Sequence, residues 1–411
     1  MPPPSSLWEE NLPFAARAPL YLPPHNSSAP PPAAAVVIVG GGLTGVSVAY
    51  HLAQRGVRSV VVEQRTLAGG ATGRNGGILW VNPRDPFEAA TVAAMRQAVD
   101  LEADCDLTLA GGLNLRMRGG ILGAAAADAG GPTGSAEVTH KMQAAGVAAE
   151  LVDAARSEFV AAAGSCWSAK LVYRLAAAAR SHATFLEHVA VEHVARAPDD
   201  AAARIVRLST GQTLRCQHVV LAANAWLPRL VPTLAPHLWP VTNCVLASQR
   251  PLPQHLRWHD LSVVVAGDGG PREAYLSQTR NGLVVLGGLR CLAPKLSRGR
   301  DDDQRWHAGD SDICAQLRAF YKQTFPQLAA AAPLTQAWVG TLTESADGKP
   351  LLGELEPGLY VAGGFNGHGL PRCFGAAAII ARRILGEPLD TLQQHTLAAW
   401  DVRRFSHTSK L

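Results

Sequence analysis

Three glycine-rich segments combine backbone freedom with polar side chains, and they are the candidates for chemistry in this chain. They read GGGLTG at residues 40–45, GATGRNGG at residues 70–77 and GGFNGHG at residues 363–369. Glycine lets a backbone approach a phosphate closely, while backbone N–H groups, Thr and Arg can donate hydrogen bonds to it. This composition indicates that the chain binds a phosphorylated cofactor.

The first segment fits the GxGxxG pattern at Gly40, Gly42 and Gly45. The first glycine makes a tight turn, the second admits a pyrophosphate, and the third lets helix and strand touch. The context fits, because an apolar strand is predicted over residues 35–39 and apolar residues at helical spacing follow over 43–55. A dinucleotide site is therefore favoured over a plain tight turn.

A second predicted strand, residues 59–63, ends in Glu63. Strand, glycine turn, helix and strand together predict a βαβ crossover. An acidic side chain at the end of that strand can hold ribose hydroxyls, and an acid without an arginine placed for a 2′-phosphate disfavours NADP. NAD and FAD remain.

The second segment, GATGRNGG, favours FAD. A simple NAD-binding domain does not require a polar glycine-rich loop after the acidic residue. In a flavin enzyme, such a loop can run under the pyrophosphate, ribitol and ring, with Thr and Arg near phosphate and backbone N–H groups near the ring edge. The alternative is a polar surface loop.

The third segment follows a predicted strand, LYVAGG, and precedes a helix predicted over residues 371–385. The backbone N–H groups of Gly367, His368 and Gly369 are expected to face the pyrimidine end of a flavin. There the helix dipole stabilises the negative charge of the reduced ring. The His368 side chain either packs as a spacer or points at substrate or ring.

The three segments resemble those of FAD-dependent oxidoreductases of the D-amino-acid oxidase superfamily, which includes sarcosine, glycine and γ-glutamylputrescine oxidases. Within it, a fungal and algal group is similar in three features, represented here by Ser6-Leu7-Trp8, GATGRNGG and Asn224-Ala225-Trp226. The resemblance implies an α/β fold with a Rossmann-like FAD-binding domain and a smaller substrate domain built on an antiparallel sheet. It also implies that Val191 offers its backbone to adenine and that Ala223 packs beside the dinucleotide.

The motifs and the resemblance together predict one set of cofactor-binding residues. These are Gly40, Gly42, Leu43, Thr44, Gly45, Glu63, Gln64, Ala71, Thr72, Arg74, Asn75, Gly76, Gly77, Ile78, Val191, Ala223, Gly364, Asn366, Gly367, His368 and Gly369. Sarcosine oxidase carries its flavin on a cysteine, but this chain has Trp338, Val339 and Gly340 in that region. The FAD is therefore expected to be non-covalent.

The resemblance implies oxidation of a C–N bond in an amine or amino acid, with hydride transfer to the flavin, imine hydrolysis, and oxygen reduced to hydrogen peroxide. The candidates for catalysis are His368 and Arg290, the latter as a positive charge near the ring or a partner for a substrate carboxylate; a surface role for Arg290 is the alternative. Tyr275 and Trp80 are candidates for the walls of the substrate cavity. Two other functions remain open: a dehydrogenase that uses a quinone or protein acceptor, and a non-catalytic flavin-binding assembly protein.

The elements that must position these residues form a discontinuous pattern. Helices are predicted over residues 88–109, 170–181 and 312–325, and strands over residues 183–194 and 203–208. The resulting division is a Pro-rich arm (1–34), an FAD-binding domain (35–105, 160–232 and 335–400), a substrate domain (106–159 and 233–334) and a tail (401–411).

Composition limits the classes of function. The chain has 411 residues, of which 47% are hydrophobic and 17% charged, as in an ordered globular protein of about two domains. A net charge of +4, with scattered basic residues, argues against nucleic-acid binding. The apolar segments are too short to cross a bilayer. Seven cysteines without a CxxC pair suggest neither a disulfide framework nor a zinc or other metal site.

The sequence ends in Ser409-Lys410-Leu411. This SKL tripeptide is read by the peroxisomal import receptor when its carboxylate is free. The expected location is therefore the peroxisome, which suits an oxidase that makes hydrogen peroxide, and otherwise the cytoplasm.

Overall fold

The structure is a computed structural model that describes residues 34–109, 111–117, 135–153, 155–258, 262–266, 273–289 and 312–405. The proline-rich arm up to residue 33, the predicted catalytic residue Arg290 and the terminal tripeptide lie outside the described residues.

The described residues form ten α-helices and eighteen strands. The helices are α1 (Leu43–Ala53), α2 (Pro86–Ala98), α3 (Leu101–Cys105), α4 (Ser135–Ala144), α5 (Ser168–Ala179), α6 (Leu227–Leu230), α7 (Asp312–Thr324), α8 (Pro326–Ala331), α9 (Cys373–Leu385) and α10 (Thr391–Trp400). The strands are β1 (Val36–Val39), β2 (Ser59–Val62), β3 (Ile78–Trp80), β4 (Gly112–Arg116), β5 (Glu158–Val160), β6 (Ala163–Ser165), β7 (Ala183–Leu186), β8 (Val191–Arg196), β9 (Arg204–Leu208), β10 (Thr213–Cys216), β11 (His218–Leu221), β12 (Leu238–Ser248), β13 (Ser262–Ala266), β14 (Glu273–Gln278), β15 (Val284–Gly288), β16 (Leu334–Ser345), β17 (Leu351–Glu356) and β18 (Leu359–Gly363).

A six-stranded sheet forms the first core, in the order β17-β18-β11-β1-β2-β7. The strands from β18 to β7 run parallel, and β17 pairs antiparallel with β18. Every residue of β1 and β2 is buried, as expected for parallel strands covered on both faces. The unit β1-α1-β2 is the predicted βαβ crossover, which is confirmed.

Different layers cover the two faces of this sheet. On one face α1 packs against α5 and α9, with Val46 and Leu52 fully buried beside Ile38 of β1. On the other face, Val37 shares a core with Val206, which lies in the three-stranded sheet β10-β9-β8. Successive residues of β1 thus point into different cores, because side chains alternate along a strand.

A seven-stranded sheet forms the second core, in the order β16-β12-β15-β14-β13-β4-β5. Its pairs are antiparallel except for β13 with β4. Helix α7 packs against β12 and β15 through a buried face that includes Leu317, Phe320 and Tyr321. The predicted fold class, an α/β unit with a separate antiparallel sheet, is confirmed.

Two predicted elements are divided in the structure. The helix expected over residues 88–109 is α2 followed by α3, because Val99 is extended and the Asp100 side chain accepts from Ala103 N–H to begin a new helix. The strand expected over residues 183–194 is β7 and β8, which belong to different sheets. Sequence periodicity did not detect either break.

The structure contains a disulfide bond that the sequence analysis did not predict. Cys244 of β12 and Cys314 of α7 are joined by a disulfide across 70 positions of sequence. Cysteine spacing could not indicate this bond, because only the packing of α7 on the sheet brings the two residues together. The remaining described cysteines, Cys105, Cys166, Cys216 and Cys373, are buried thiols.

The described ranges contain neither a membrane-spanning helix nor a candidate metal site. No helix there is both long and apolar enough to span a bilayer. No group of three or more His, Cys, Asp or Glu side chains is placed to hold a metal ion.

Candidate active site

A cavity of about 680 Å³ lies at the carboxyl ends of β1 and β2 and is closed on its far side by the seven-stranded sheet. All three glycine segments line it. Of the predicted cofactor-binding residues, the structure brings all but Gly45, Gly77 and Gly364 to its wall. This position, outside the carboxyl ends of parallel strands, is where open α/β sheets bind ligands.

Those three glycines shape the turns behind the wall. A Cβ on Gly45 would lie 1.9 Å from the carbonyl oxygen of Gly40, so only glycine lets α1 approach the turn. Gly77 and Gly364 both have positive φ, and their N–H groups donate to the side-chain oxygens of Asn75 (2.8 Å) and Asn224 (3.2 Å).

The first glycine turn presents the start of α1 to the cavity. Gly40 has φ +113°, and a Cβ there would lie 2.6 Å from the carbonyl oxygen of Ala222. Gly42 precedes the helix without a side-chain cap. The helix N-terminus therefore directs N–H groups and a positive dipole end toward the cavity, an arrangement that suits a pyrophosphate.

Glu63 occupies the position expected of the ribose-binding acid. Its Oε2 accepts from Gly41 N–H (2.7 Å) and its Oε1 from Arg65 N–H (2.8 Å). Burial raises the pKa of this carboxyl, and the two N–H donors oppose that effect. Each oxygen retains a second lone pair that can accept from a ribose hydroxyl.

A hydrogen bond joins the second glycine loop to the first. Leu43 N–H, at the start of α1, donates to Thr72 Oγ1 (3.1 Å). Asn75 Nδ2 donates to the Thr72 carbonyl (2.8 Å) and to Ser168 Oγ (3.0 Å). Thr72 and Asn75 thus fix the loop while also lining the cavity.

The same loop contacts the seven-stranded sheet. The buried Arg74 donates from Nη1 to the Val339 carbonyl (3.1 Å), and Trp338 Nε1 donates to the Arg74 carbonyl (3.1 Å). Ser277 Oγ donates to the Gly76 carbonyl (2.6 Å). The sequence assigned Arg74 to phosphate, but in the structure its guanidinium also joins the loop to β16.

At the opposite end, Val191 and Ala223 line the cavity with Trp226. The Arg65 guanidinium lies 5.0 Å from the centre of the Trp226 ring. The sequence analysis did not assign Arg65 to the site. Its position beside an indole ring gives this end a flat, partly apolar surface.

The third segment forms a tight turn before α9. His368 N–H donates to the Phe365 carbonyl (2.9 Å), so this amide, expected to face the flavin, is used inside the turn. Asn366 has φ +56° and holds the turn by accepting from Ser345 N–H at Oδ1 (2.8 Å). The turn is tight because Gly367 also has positive φ.

Glu88, which the sequence analysis did not single out, lies behind His368. Its side chain is fully buried and accepts from Arg372 Nε (2.8 Å) and Asn82 N–H (2.7 Å), with His368 Nε2 at 3.1 Å. Burial acts to raise the pKa of the Glu88 carboxyl, but hydrogen bonding and charge from His368, Asn82 and Arg372 outweigh it and the pKa is lowered. An ionised Glu88 favours a proton on Nε2 of His368, which leaves Nδ1 as an acceptor.

The end of the cavity beyond His368 is formed by β4, β13, β14 and Trp80. Tyr275 and Trp80, both predicted to form walls, line it. Asn114, Arg116 and Asn243 also line it but were missed by sequence analysis. A signal existed at β4, where apolar Leu113 and Leu115 alternate with the polar pair, as in a strand with one buried face.

A family model described as "FAD dependent oxidoreductase" (DAO) matches residues 35–383. The chain belongs to this family of oxidoreductases. A curated relative, "Probable oxidoreductase OrdL" of Rhizobium meliloti (strain 1021), is 24% identical over 204 residues. That match covers 48% of this chain and 42% of the relative, so it spans less than half the length of the relative.

Solved structures share the fold of this oxidoreductase. Glycine oxidase from Geobacillus kaustophilus is 21% identical, with a TM-score of 0.69 over 92% of this chain and 99% of its own. L-proline dehydrogenase from P. horikoshii is 18% identical, with a TM-score of 0.69 over 92% and 98%. Iminodiacetate oxidase from Chelativorans sp. BNC1 is 18% identical, with a TM-score of 0.65 over 89% and 98%.

The residues present in this oxidoreductase fit FAD, the cofactor of the family. The Gly40 turn and the start of α1 suit the pyrophosphate, Glu63 has free lone pairs for ribose, and the second loop extends the wall beyond what an isolated dinucleotide turn needs. The cavity volume lies in the usual range for cofactor and ligand sites.

Proposed function

We propose that this protein oxidises the C–N bond of an amine or amino acid, using FAD and passing the electrons to oxygen. The observation that carries the proposal is one continuous cavity, lined by the three cofactor segments and extending past His368 to a polar wall on the seven-stranded sheet. A substrate at that wall would lie beside the cofactor. The names of the similar structures, which include oxidases of glycine and iminodiacetate, support this class of substrate.

The reaction removes a hydride from carbon and a proton from nitrogen, and water then hydrolyses the imine to a carbonyl compound and an amine or ammonia. Bound FAD supplies the two-electron acceptor. We infer that His368, whose Nε2 lies 3.1 Å from Glu88 Oε2, accepts this proton at Nδ1. Trp80 and Tyr275 line the substrate end of the cavity.

The test starts from the purified holoenzyme and its flavin absorption. Amines and amino acids are added first without oxygen, to observe loss of the oxidised flavin band, and then in air with a peroxide-coupled dye. Substrate-dependent peroxide is expected. Bleaching of the flavin without peroxide would indicate the dehydrogenase alternative. If no compound reduces the flavin, the proposal that this enzyme oxidises C–N bonds is contradicted.

We also infer that the FAD is bound without a covalent bond. Among the described residues that line the cavity, the cysteine is Cys373, and burial raises the pKa of its thiol to about 12, so it is not a thiolate near neutral pH. Denaturation with acid should release the flavin into the supernatant. Flavin that stays with the precipitated protein would refute this.

The peroxisomal location expected from Ser409-Lys410-Leu411 stays a prediction. A fluorescent protein fused ahead of residue 1, with and without these residues, would test it by microscopy.

A further inference from the structure

The side chain of Asn243, on β12, presents a buried hydrogen-bond acceptor to the cavity. The residue lines the cavity and is 8% exposed. Its Nδ2 donates to the Tyr275 hydroxyl (2.8 Å), whereas its Oδ1 has no hydrogen-bond donor among the described residues. Buried amide oxygens are normally satisfied, because leaving one without a donor is costly. This oxygen therefore indicates a ligand that brings a donor.

Asn243 lies beside the strand that carries the second glycine loop. It is opposite Gly340 in the ladder between β12 and β16. A Cβ on Gly340 would lie 2.9 Å from Cβ of Arg74, so β16 and the loop are in direct contact at this point. Trp338, two residues before Gly340, donates to the Arg74 carbonyl. One side of Asn243 thus faces the cofactor segment.

Tyr275 connects Asn243 to the substrate end of the cavity. A Cβ on Gly287 of β15 would lie 2.4 Å from the Tyr275 hydroxyl oxygen, and a Cβ on Gly76 would lie 2.1 Å from the Tyr275 ring. The ring is therefore fixed between β15 and the second loop, with its hydroxyl at Asn243. Asn114, by contrast, is on β4, which three strands separate from β12. Asn243 thus lies at the boundary between the cofactor loop and the substrate wall.

A flavin has a suitable donor at such a boundary. The atom of the ring at which cofactor and substrate meet is N5, which receives the hydride. Oxidised N5 has a lone pair and no hydrogen, whereas reduced N5 carries an N–H group. The other N–H of the ring, at N3, belongs to the pyrimidine end, which is expected at the third segment. An acceptor at the boundary therefore matches the reduced ring.

We propose that Oδ1 of Asn243 accepts a hydrogen bond from N5–H of the reduced flavin and thereby stabilises the reduced cofactor relative to the oxidised one. Tyr275 is the positioning residue, because its hydroxyl holds Nδ2 and directs Oδ1 toward the ring. The inference rests on FAD as the cofactor and goes beyond the proposed function, since it does not depend on which compound reduces the flavin.

The two-electron midpoint potential of the holoenzyme tests this without any substrate. Anaerobic reduction against a reference dye gives the potential, and quenching of FAD fluorescence by the apoprotein gives the affinity for oxidised FAD. N243L removes the acceptor and keeps most of the side-chain volume. It should weaken the binding of reduced FAD relative to oxidised FAD about 10-fold, which lowers the potential by about 30 mV, with the affinity for oxidised FAD unchanged. N281L, at an exposed asparagine outside the cavity, is the control.

A second variant and a cofactor analogue localise the contact. Y275F leaves the amide in place but frees its Nδ2, so the potential should fall by part of the N243L shift. In 5-deaza-FAD a carbon replaces N5, and the reduced ring has no N–H at that position. With this analogue, the wild type and N243L should have equal potentials.

The contrary outcomes are distinct. An unchanged potential in N243L overturns the proposal, and a higher half-saturating substrate concentration in that variant would then assign the amide to the substrate. A rise in the potential also overturns it, because Nδ2 would then face the ring. If no amine or amino acid reduces the flavin, the proposed function fails, while the potential still decides this inference. If N243L does not retain flavin, Y275F decides it, with FAD and with 5-deaza-FAD.

Discussion

A single buried carboxylate, Glu88, holds two polar side chains at the edge of the cofactor cavity. It lies on α2 and contacts His368 and Arg372 from the distant third segment. In the sequence it appears as one glutamate in an alanine-rich helix, and its partners lie 280 and 284 positions away. Its role therefore becomes visible only through tertiary contacts.

The variant E88Q tests this role. It keeps the shape of the side chain and removes the charge, so we expect a fall in kcat of about 10²-fold, typical of a disturbed acid–base group, with a smaller change in KM. Hydrogen bonding and charge hold the pKa of the Glu88 carboxyl below its usual range, so the wild type should lose activity at acid pH as Glu88 is protonated, and E88Q should lack that limb of the pH–rate profile. E102Q, exposed on α3, is the control. An unchanged pH profile in E88Q would assign Glu88 a packing role only.

His51 leads to a prediction about stability. Burial lowers its pKa from 6.5 to about 4, and its Nε2 lies 3.2 Å from the Phe374 carbonyl. The unfolded chain therefore binds a proton that the folded chain does not between these two values, so stability is lost as the pH falls from 6.5 toward 4. In H51Q this loss should be smaller, by at most about 1.4 kcal/mol per pH unit.

Denaturant unfolding at pH 7, 5.5 and 4.5 measures the effect. H395Q, at an exposed histidine on α10, should keep the wild-type dependence on pH. Equal slopes for H51Q and the wild type would contradict the assignment of a neutral buried ring.

At the scale of elements, the second glycine loop is defined by what packs against it. A Cβ on Gly76 would lie 2.1 Å from the Tyr275 ring of β14, whereas a Cβ on Gly70 would meet no atom of the chain within 4 Å. Both glycines line the cavity, but only Gly76 is in tight contact with the seven-stranded sheet. Packing against Tyr275 thus requires glycine at position 76, whereas no atom of the chain requires it at position 70.

The variants G76A and G70A should separate these reasons. G76A is expected to lower the free energy of unfolding even without FAD, by about 1–3 kcal/mol, because Tyr275 must move. G70A should leave the stability of the apoprotein nearly unchanged, and a loss of FAD affinity in it would show that cofactor passes over this residue. Thermal unfolding with and without added FAD gives both quantities. Equal effects of the two variants on the apoprotein would contradict the packing argument.

At the scale of the whole molecule, the second loop is where the two sheets meet. Ser277 of β14 donates to the Gly76 carbonyl, and Trp338 of β16 donates to the Arg74 carbonyl. The cofactor segment is therefore also part of the joint between the six-stranded and seven-stranded sheets. Binding of FAD at this loop should stabilise both sheets together.

The variant S277A tests this coupling. It leaves the Gly76 carbonyl without its side-chain donor in a buried setting, which should cost about 1–3 kcal/mol of unfolding free energy. FAD affinity should also fall, because the loop loses a fixed point, although Ser277 does not line the cavity. S181A, exposed after α5, is the control. Equilibrium unfolding and flavin titration are the measurements, and wild-type FAD affinity in S277A would show that the joint and the cofactor are independent.

The sequence by itself determined the first βαβ unit, the family and FAD as cofactor, because these depend on local patterns: glycines at fixed spacing, an apolar strand before them and an acid after the next strand. The placement of Glu63, Thr72 and His368 around one cavity agrees with those patterns. Periodicity also predicted α7 and α9 to within two residues at either end.

Only the tertiary structure decided the substrate end, the partner of His368 and the Cys244–Cys314 bond. Arg116 comes from β4 and Asn243 from β12, and each is ordinary in its local sequence. They line one cavity because β4, β13, β14, β15 and β12 belong to one sheet, an order that the order of the chain does not reveal. Local sequence patterns reflect the backbone conformation that each turn requires. The set of residues in the substrate wall depends instead on the pairing of strands that are distant in sequence.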